Sequence, residues 1–391
     1  MKNQNVLQGN EESFGAVVDF VNRHSELIVL SDAAAQSAIA VWPAMQGRVL
    51  TSTATGAEGP GFGWINRDLI ASGEIREHIN AYGGEDRLWL GPEGGQFSIF
   101  FAPGVPFDLD HWYTPAPIDT EPFEIVKRDA ASITFRRAFQ LTNFSAANFH
   151  IQLEREVRLL SSERIWQELG IAATDGIQMV GYESVNKLVN LADTPWSEKS
   201  GLLSIWVLGQ FQSSAQTTIV LPFHAGTQAA LGTPVTTDYF GEIPAGRIAL
   251  HEDSVFLKAD GGYRCKLGLS PRRATGVLGS YDAANRTLTI VQHSLPAGAE
   301  KYVNSAWKMQ DDPYGGDVTN CYNDGPPAPG KDQLGKFYEL ESSSLARELQ
   351  PQEAIEHTHR TIHLVGAEKA LDAICQAVLG TRIEEIHSFN P

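Results

Sequence analysis

Between Phe123 and Leu160 the chain alternates apolar and polar residues almost without interruption. The segments SITFRRAFQLT and FHIQLEREVRLL send successive side chains to opposite faces. A period of two over such lengths is the mark of long antiparallel strands with one face on a core and one in water. Strand-like runs precede this region at ELIVLSD and SAIAVWPAMQGRVLTSTAT. Others follow at IQMVGYESVNKLVNL, GLLSIWVLGQF, TTIVLPF, GRIALHE, YRCKLGL, TLTIVQHSL and AIEHTHRTIHLVG. Helical spacing is confined to the ends. Phe14, Val17, Val18 and Val21 predict a short helix over about 11–23, and Leu371, Ile374, Val378 and Leu379 predict another over about 367–380. No other helix pattern, repeat period or low-complexity linker divides the 391 residues. The expectation is a single domain over 1–391, all-β, with about twenty strands in two large antiparallel sheets packed as a sandwich. The charges Glu154, Arg155, Glu156 and Arg158 read as the solvated face of one long strand.

Composition narrows the function. A net charge of −17 repels the phosphates of nucleic acid and of anionic membrane surfaces. No run of 18 apolar residues is present to span a bilayer. Cys265, Cys321 and Cys375 are scattered and form no CxxC pattern, which fits a reducing compartment. The start, MKNQNVLQGNEESFG, has no apolar signal region, so the sequence as it stands reads as cytoplasmic, or periplasmic if a leader has been removed. Nothing in it specifies an oligomeric state.

The chemistry gathers in the stretch from Tyr302 to Ser344. Trp307, Tyr314, Tyr322 and Tyr338 supply aromatic faces; Asp311, Asp312, Asp317, Asp324, Glu339 and Glu341 supply carboxylates, and glycines and prolines impose turns between them. An aromatic-walled cleft with carboxylates suits a mono- or oligosaccharide. Glu339 and Glu341, two apart in FYELESSS, share one strand face, with Lys301 or Lys336 as structural salt-bridge partners in the plainer reading. A second concentration, GGEDRLWLGPEGG at 83–95, embeds Arg87 and Glu93 among apolar residues and glycines, as a salt bridge or as ligand contacts. The substrate-binding candidates are therefore Arg87, Glu93, Asn186, Trp307, Asp317, Asn320, Tyr322, Asn323 and Glu339, with Glu341 as the catalytic candidate.

Other motifs carry less. The Gly-rich loop at 56–66 lacks a strand-then-helix context and a GxxxxGK[ST] pattern, so it is no phosphate cradle. No G-x-S-x-G elbow exists, and Ser204 falls inside a strand. His357, His359 and His363 share a strand face, as a metal pair or as packed imidazoles. No cofactor and no resident metal are expected.

The LES at 340–342, followed by LQPQEAIEHTHRTIHL at 349–364, resembles the end of the galactose mutarotase (aldose 1-epimerase) family. GGEDRLWLGPEGG is similar to a stretch of aldose-epimerase-like proteins. The resemblance implies a galactose mutarotase-like β-supersandwich and a sugar ligand. It also implies Glu341 as the base that takes the anomeric hydroxyl proton and Arg87 near the arginine that orients the sugar. Where the family carries an acid histidine in H-x-Y-F-N, this chain reads GYESVNKLVN at 181–190, leaving Tyr182 or Asn186 as hydrogen-bond donors. The functional expectation is a carbohydrate-active protein, epimerase-like with a Glu base. The alternatives are a non-catalytic carbohydrate-binding protein, or an oligosaccharide hydrolase or lyase using a carboxylate pair from Asp312, Asp317, Glu339 and Glu341.

Overall fold

A computed structural model describes residues 13–328 and 330–390. Positions 11 and 12 of the expected first helix, and positions 1–12 of the opening segment read for a leader, lie outside the described residues.

The alternating runs become strands in three antiparallel sheets. A small sheet joins β1 (Ile28–Asp32), β2 (Ser37–Trp42) and β3 (Arg48–Thr53). The sheet of ten contains β5 (Glu124–Arg128), β6 (Ser132–Thr142), β7 (Asn148–Leu159), β8 (Gln178–Asn190), β10 (Thr217–Pro222), β11 (Ile248–Leu250), β12 (Ser254–Lys258), β14 (Val277–Asp282), β15 (Thr287–His293) and β18 (Ala354–Val365), ordered 11-12-10-14-15-18-8-7-6-5. The third sheet is ordered 13-16-17-9-4, from β4 (Arg87–Gly91), β9 (Ser204–Gln212), β13 (Cys265–Leu269), β16 (Thr319–Asn323) and β17 (Phe337–Ser343).

The two larger sheets pack face to face. Leu88, Ile205 and Val207 of the five-stranded sheet meet Ile151, Leu153 and Leu188 of the ten-stranded one; Leu267, Cys321 and Leu340 meet Ile219, Leu257 and Val291. Helices close the margins. The helix α1 (Phe14–Asn22) buries Phe14, Val17 and Val21 against the small sheet, and α2 (Arg67–Ser72) adds Leu69 and Ile70 there. On the back of the ten-stranded sheet sit α3 (Ser162–Leu169), α5 (Glu368–Leu379) and α6 (Ile383–Phe389); α4 (Gln228–Leu231) is one turn in a loop.

Three expectations need correction. The helix α3 interrupts the strands: Ser161 caps the Arg164 amide, Gly170 ends it at φ +69°, and Ile165 and Leu169 bury one face. To the two large sheets of the expected sandwich the strands add a small third one. Arg155 is not solvated. It falls in step with Phe149, Ile151, Leu153 and Val157, the inward set of β7, and is fully buried. Its charge is met by Asp86 at 2.6 Å, and it also donates to Asn186 Oδ1 at 2.9 Å. Its neighbours do lie outward, with Glu154 paired to Arg136 at 2.7 Å.

Imidazoles fill part of the gap between the sheets. His357 Nε2 and His359 Nδ1 both lie within 2.8 Å of Ser342 Oγ, and His293 Nε2 is 2.8 Å from Thr319 Oγ1. Burial pushes all three rings toward the neutral form, His293 to about 4. His363 sits apart, 3.0 Å from Glu85 and stacked on Phe62. Among the described residues no group of three or more His, Cys, Asp or Glu side chains has metal-holding geometry.

Candidate functional site

In an antiparallel pair, residues directly opposite point to the same side. The register of β17 therefore assigns each of its side chains. Leu340 and Ser342 pair with Cys321 and Thr319 and face the core, whereas Glu339 and Glu341 pair with Tyr322 and Asn320 and face away. Extended across the sheet, the outward face carries Lys266 and Gly268 on β13, Asn320 and Tyr322 on β16, Trp206 and Gln210 on β9, and Arg87 and Trp89 on β4.

Loops turn this face into a cavity of about 500 Å³. Its floor is Trp206, Lys266, Asn320 and Ser343. Glu93 and the 303–308 segment with Trp307 form one wall, and Thr236–Phe240, Arg264 and Asp317 form the other. Two glycines permit the close packing. A Cβ on Gly268 would lie 2.1 Å from Asp317 Oδ2 and 2.6 Å from the Tyr239 hydroxyl; one on Gly94 would lie 2.6 Å from the Ala306 carbonyl oxygen. The short Gly-Pro-Glu-Gly-Gly run thus lets 303–308 dock beside Glu93, where Ser305 Oγ accepts the Glu93 amide at 3.1 Å. Trp307 is anchored by rings on its far side, stacked with Trp112 at 5.9 Å and edge-on to Phe101 at 5.1 Å.

Beneath the floor lies a charge cluster. Glu341 is completely buried, and its Oε2 accepts from Lys266 Nζ at 2.8 Å and from the Trp206 indole at 2.9 Å. Its Oε1 is buried with no hydrogen-bond partner among the described residues. The Lys266 ammonium lies over Trp206 at 4.8 Å and Tyr239 at 5.6 Å. Burial lowers Lys266 in principle, but Glu341, Glu93 and Glu339 outweigh it and hold the ammonium above its ordinary range. Glu93 is raised as well, which for a carboxyl favours the neutral form. Burial pushes its carboxyl up to about 7, more than the pull of Lys266 and Arg264 brings it down. Asp317 is also raised by burial, and it accepts from the Tyr239 hydroxyl, which in turn accepts from Asn320 at 3.0 Å.

The residues expected from the sequence divide into three groups. Glu93, Trp307, Asp317 and Asn320 line the cavity. Arg87, Glu339, Glu341 and Tyr322 share its sheet face without lining it. Arg87 pairs with Glu339 at 2.5 Å, both nearly buried, and the Tyr322 hydroxyl donates to Asp324 at 2.6 Å. Asn186 and Asn323 lie elsewhere. Asn186 belongs to the Arg155 network of the core, and Asn323 faces inward, where it accepts the Gly261 amide at 2.9 Å. Tyr182 is likewise a core group that donates to Glu85 at 2.9 Å, so neither mid-chain donor reaches the cavity. Lys301 pairs with Glu198, and it is Arg87 and Lys266, not Lys301 or Lys336, that meet the two glutamates.

Sequence reasoning missed Trp206, Tyr239, Arg264 and Lys266. For Lys266 a signal existed: in YRCKLGL it alternates against Cys265, Leu267 and Leu269, so a core-facing strand sends the lysine to the opposite side.

Comparison with solved structures shows what this architecture is. The Slr1438 protein from Synechocystis sp. PCC 6803 superposes with a TM-score of 0.53 at 12% identity, over 87% of this chain and 96% of that one. A protein from Escherichia coli K12 titled "Putative aldose 1-epimerase" gives a TM-score of 0.52 at 12% identity, over 88% and 99%. At these identities the likeness is one of fold, and the fold is galactose mutarotase-like. No curated protein matches the sequence. A family model described as "Family of unknown function (DUF6786)" matches residues 12–390. Covering nearly the whole chain, that match places the protein in the DUF6786 family.

Proposed function

We propose that this cavity binds a sugar and that Glu341 and Glu93 exchange protons with it, as in an aldose 1-epimerase. One observation carries the reading. Glu341 holds Lys266 and Trp206 with a single oxygen, which leaves a buried carboxylate oxygen with no protein donor at the foot of an aromatic-walled cavity. An unsatisfied buried acceptor is costly, and a ligand hydroxyl is the donor such a site suits. In anomer exchange Glu341 takes the proton of the anomeric hydroxyl while the bond from the anomeric carbon to the ring oxygen breaks. Glu93 supplies a proton to that ring oxygen. Rotation about the adjacent carbon–carbon bond and the reverse transfers give the other anomer. Glu93 fits the acid role because it lines the cavity and its carboxyl, raised to about 7, retains a proton near neutrality. Trp206, Trp307 and Tyr239 offer ring faces to the sugar, and Asn320 offers an amide.

The full burial of Glu341 favours a second reading, in which the same cavity binds a sugar without turnover. NMR exchange between α and β anomers over a panel of aldoses separates the two. Saturable acceleration that disappears in Glu341→Gln supports the epimerase. Calorimetric binding with no acceleration supports the binder, and absence of both binding and exchange across the panel removes the sugar reading.

A further inference from the structure

Arg264 is the odd cation of the cavity. Arg87 and Lys266 each have a carboxylate at hydrogen-bond distance, but no Arg264 side-chain nitrogen has a hydrogen-bond or ion-pair partner among the described residues. Its guanidinium instead lies over Phe240, 3.9 Å from the ring centroid. A cation–π contact of that kind holds the guanidinium over the ring while leaving its N–H groups unspent. Lys308, exposed at the opposite rim on the segment that carries Trp307, is also without an ion-pair partner among the described residues. The carboxylates of the same cavity are already committed or weakly charged: Asp317 accepts from Tyr239, and Glu93 is raised to about 7. Asp238, exposed on the Tyr239 loop, is the remaining anion of the lining. In a chain of net charge −17, two unpaired cations at one cavity run against the general field and favour an anion locally.

We propose that the sugar taken by this cavity carries an anionic substituent, a carboxylate or a phosphate- or sulfate-type ester, received by Arg264 with Lys308 at the rim. The inference rests on the sugar-binding reading and specifies its substrate class. A planar guanidinium pairs with either oxyanion through two parallel N–H donors, a geometry that neutral hydroxyls do not repay as well.

The test is calorimetric titration of the full chain with matched sugars: glucose, glucuronate and glucose 6-phosphate, then galactose with galacturonate and galactose 6-phosphate. At least one acidic member is expected to bind about tenfold or more tightly than its neutral parent, a charge-assisted hydrogen bond's worth. That preference should collapse in Arg264→Gln, recover partly in Arg264→Lys, and shrink as salt is raised. Whether uronate or phosphate ester is preferred identifies the oxyanion. Arg264 lies at the cavity surface, so the variants should keep the wild-type melting temperature. Neutral and acidic sugars binding alike, or an acidic preference untouched in Arg264→Gln, overturns the proposal and leaves sugar binding standing. No binding by any member overturns both.

Discussion

Lys266 and Glu341 stand 2.8 Å apart on non-adjacent strands, one at the floor of the cavity and the other wholly beneath it. The pair bridges across the intervening strand that carries Asn320, so the ammonium, held over Trp206 and Tyr239, sits between the cavity and the carboxylate. Any chemistry assigned to Glu341 passes by this lysine.

Glu341→Gln keeps the volume and the Trp206 contact but removes the charge opposite Lys266. If Glu341 is the base, anomer exchange should fall by roughly 100-fold or more, in line with the loss of a general base. NMR line-shape or saturation-transfer rates report this directly, and a variant as fast as wild type ends the assignment.

The pH behaviour of Glu93 has a definite sign. Its carboxyl sits at about 7 in the fold against an ordinary 4.5, so between those values the folded chain keeps a proton that the unfolded chain has released. Stability contributed by that proton is present at low pH and is lost as pH rises through about 7. Glu93→Gln, neutral throughout, should therefore gain in melting temperature relative to wild type on going from pH 5 to pH 8. The buried imidazoles act oppositely, costing stability as pH falls below 6.5, but they are common to both proteins and cancel. A constant difference between the two melting curves would show Glu93 to be an ordinary carboxylate. If Glu93 is the acid, exchange in the wild type should also decline above about pH 7.

Gly268→Ala tests the wall. The added methyl would lie 2.1 Å from Asp317 Oδ2, forcing Asp317 and Tyr239 off the sheet. If the cavity binds a sugar, affinity should weaken about tenfold, near 1.4 kcal/mol, while the denaturant midpoint changes little. Unchanged affinity by calorimetry would mean that this wall does not touch the ligand.

Arg155→Met strands Asp86 as an unpaired buried charge, with both side chains fully buried in the wild type. Loss of one partner from such a pair costs about 3–5 kcal/mol. Urea unfolding should show this as a lower midpoint with an unchanged slope, and a variant as stable as wild type would mean that water or another donor satisfies Asp86.

Much of the architecture was readable because it is local. Alternation in 123–160 named β6 and β7, and the same rule applied to FYELESSS put Glu339 and Glu341 on one face. The sequence misleads where charge stands in for solvent. Arg155 occupies an inward position of an otherwise regular pattern, and the periodicity was the better guide. Strand pairing is what the sequence withheld. That Arg87 meets Glu339, 252 positions away, and that Lys266 meets Glu341, 75 away, depends on which strands become neighbours, and no local pattern encodes that. For the same reason Asn186, placed by motif analogy, fell into the core network.

The strict division of β17 makes seven residues unusually intolerant of changes in length. One inserted or deleted residue between Phe337 and Ser343 would exchange the two faces, turning both glutamates toward Cys321 and Ile219 and Leu340 toward the sheet face beneath the cavity. By contrast, in the connection preceding it, residues 326–328 and 330–332 are exposed. Natural indels, epitope tags and reporter insertions in this part of the chain therefore belong in that connection, which can absorb length without shifting the strand's frame.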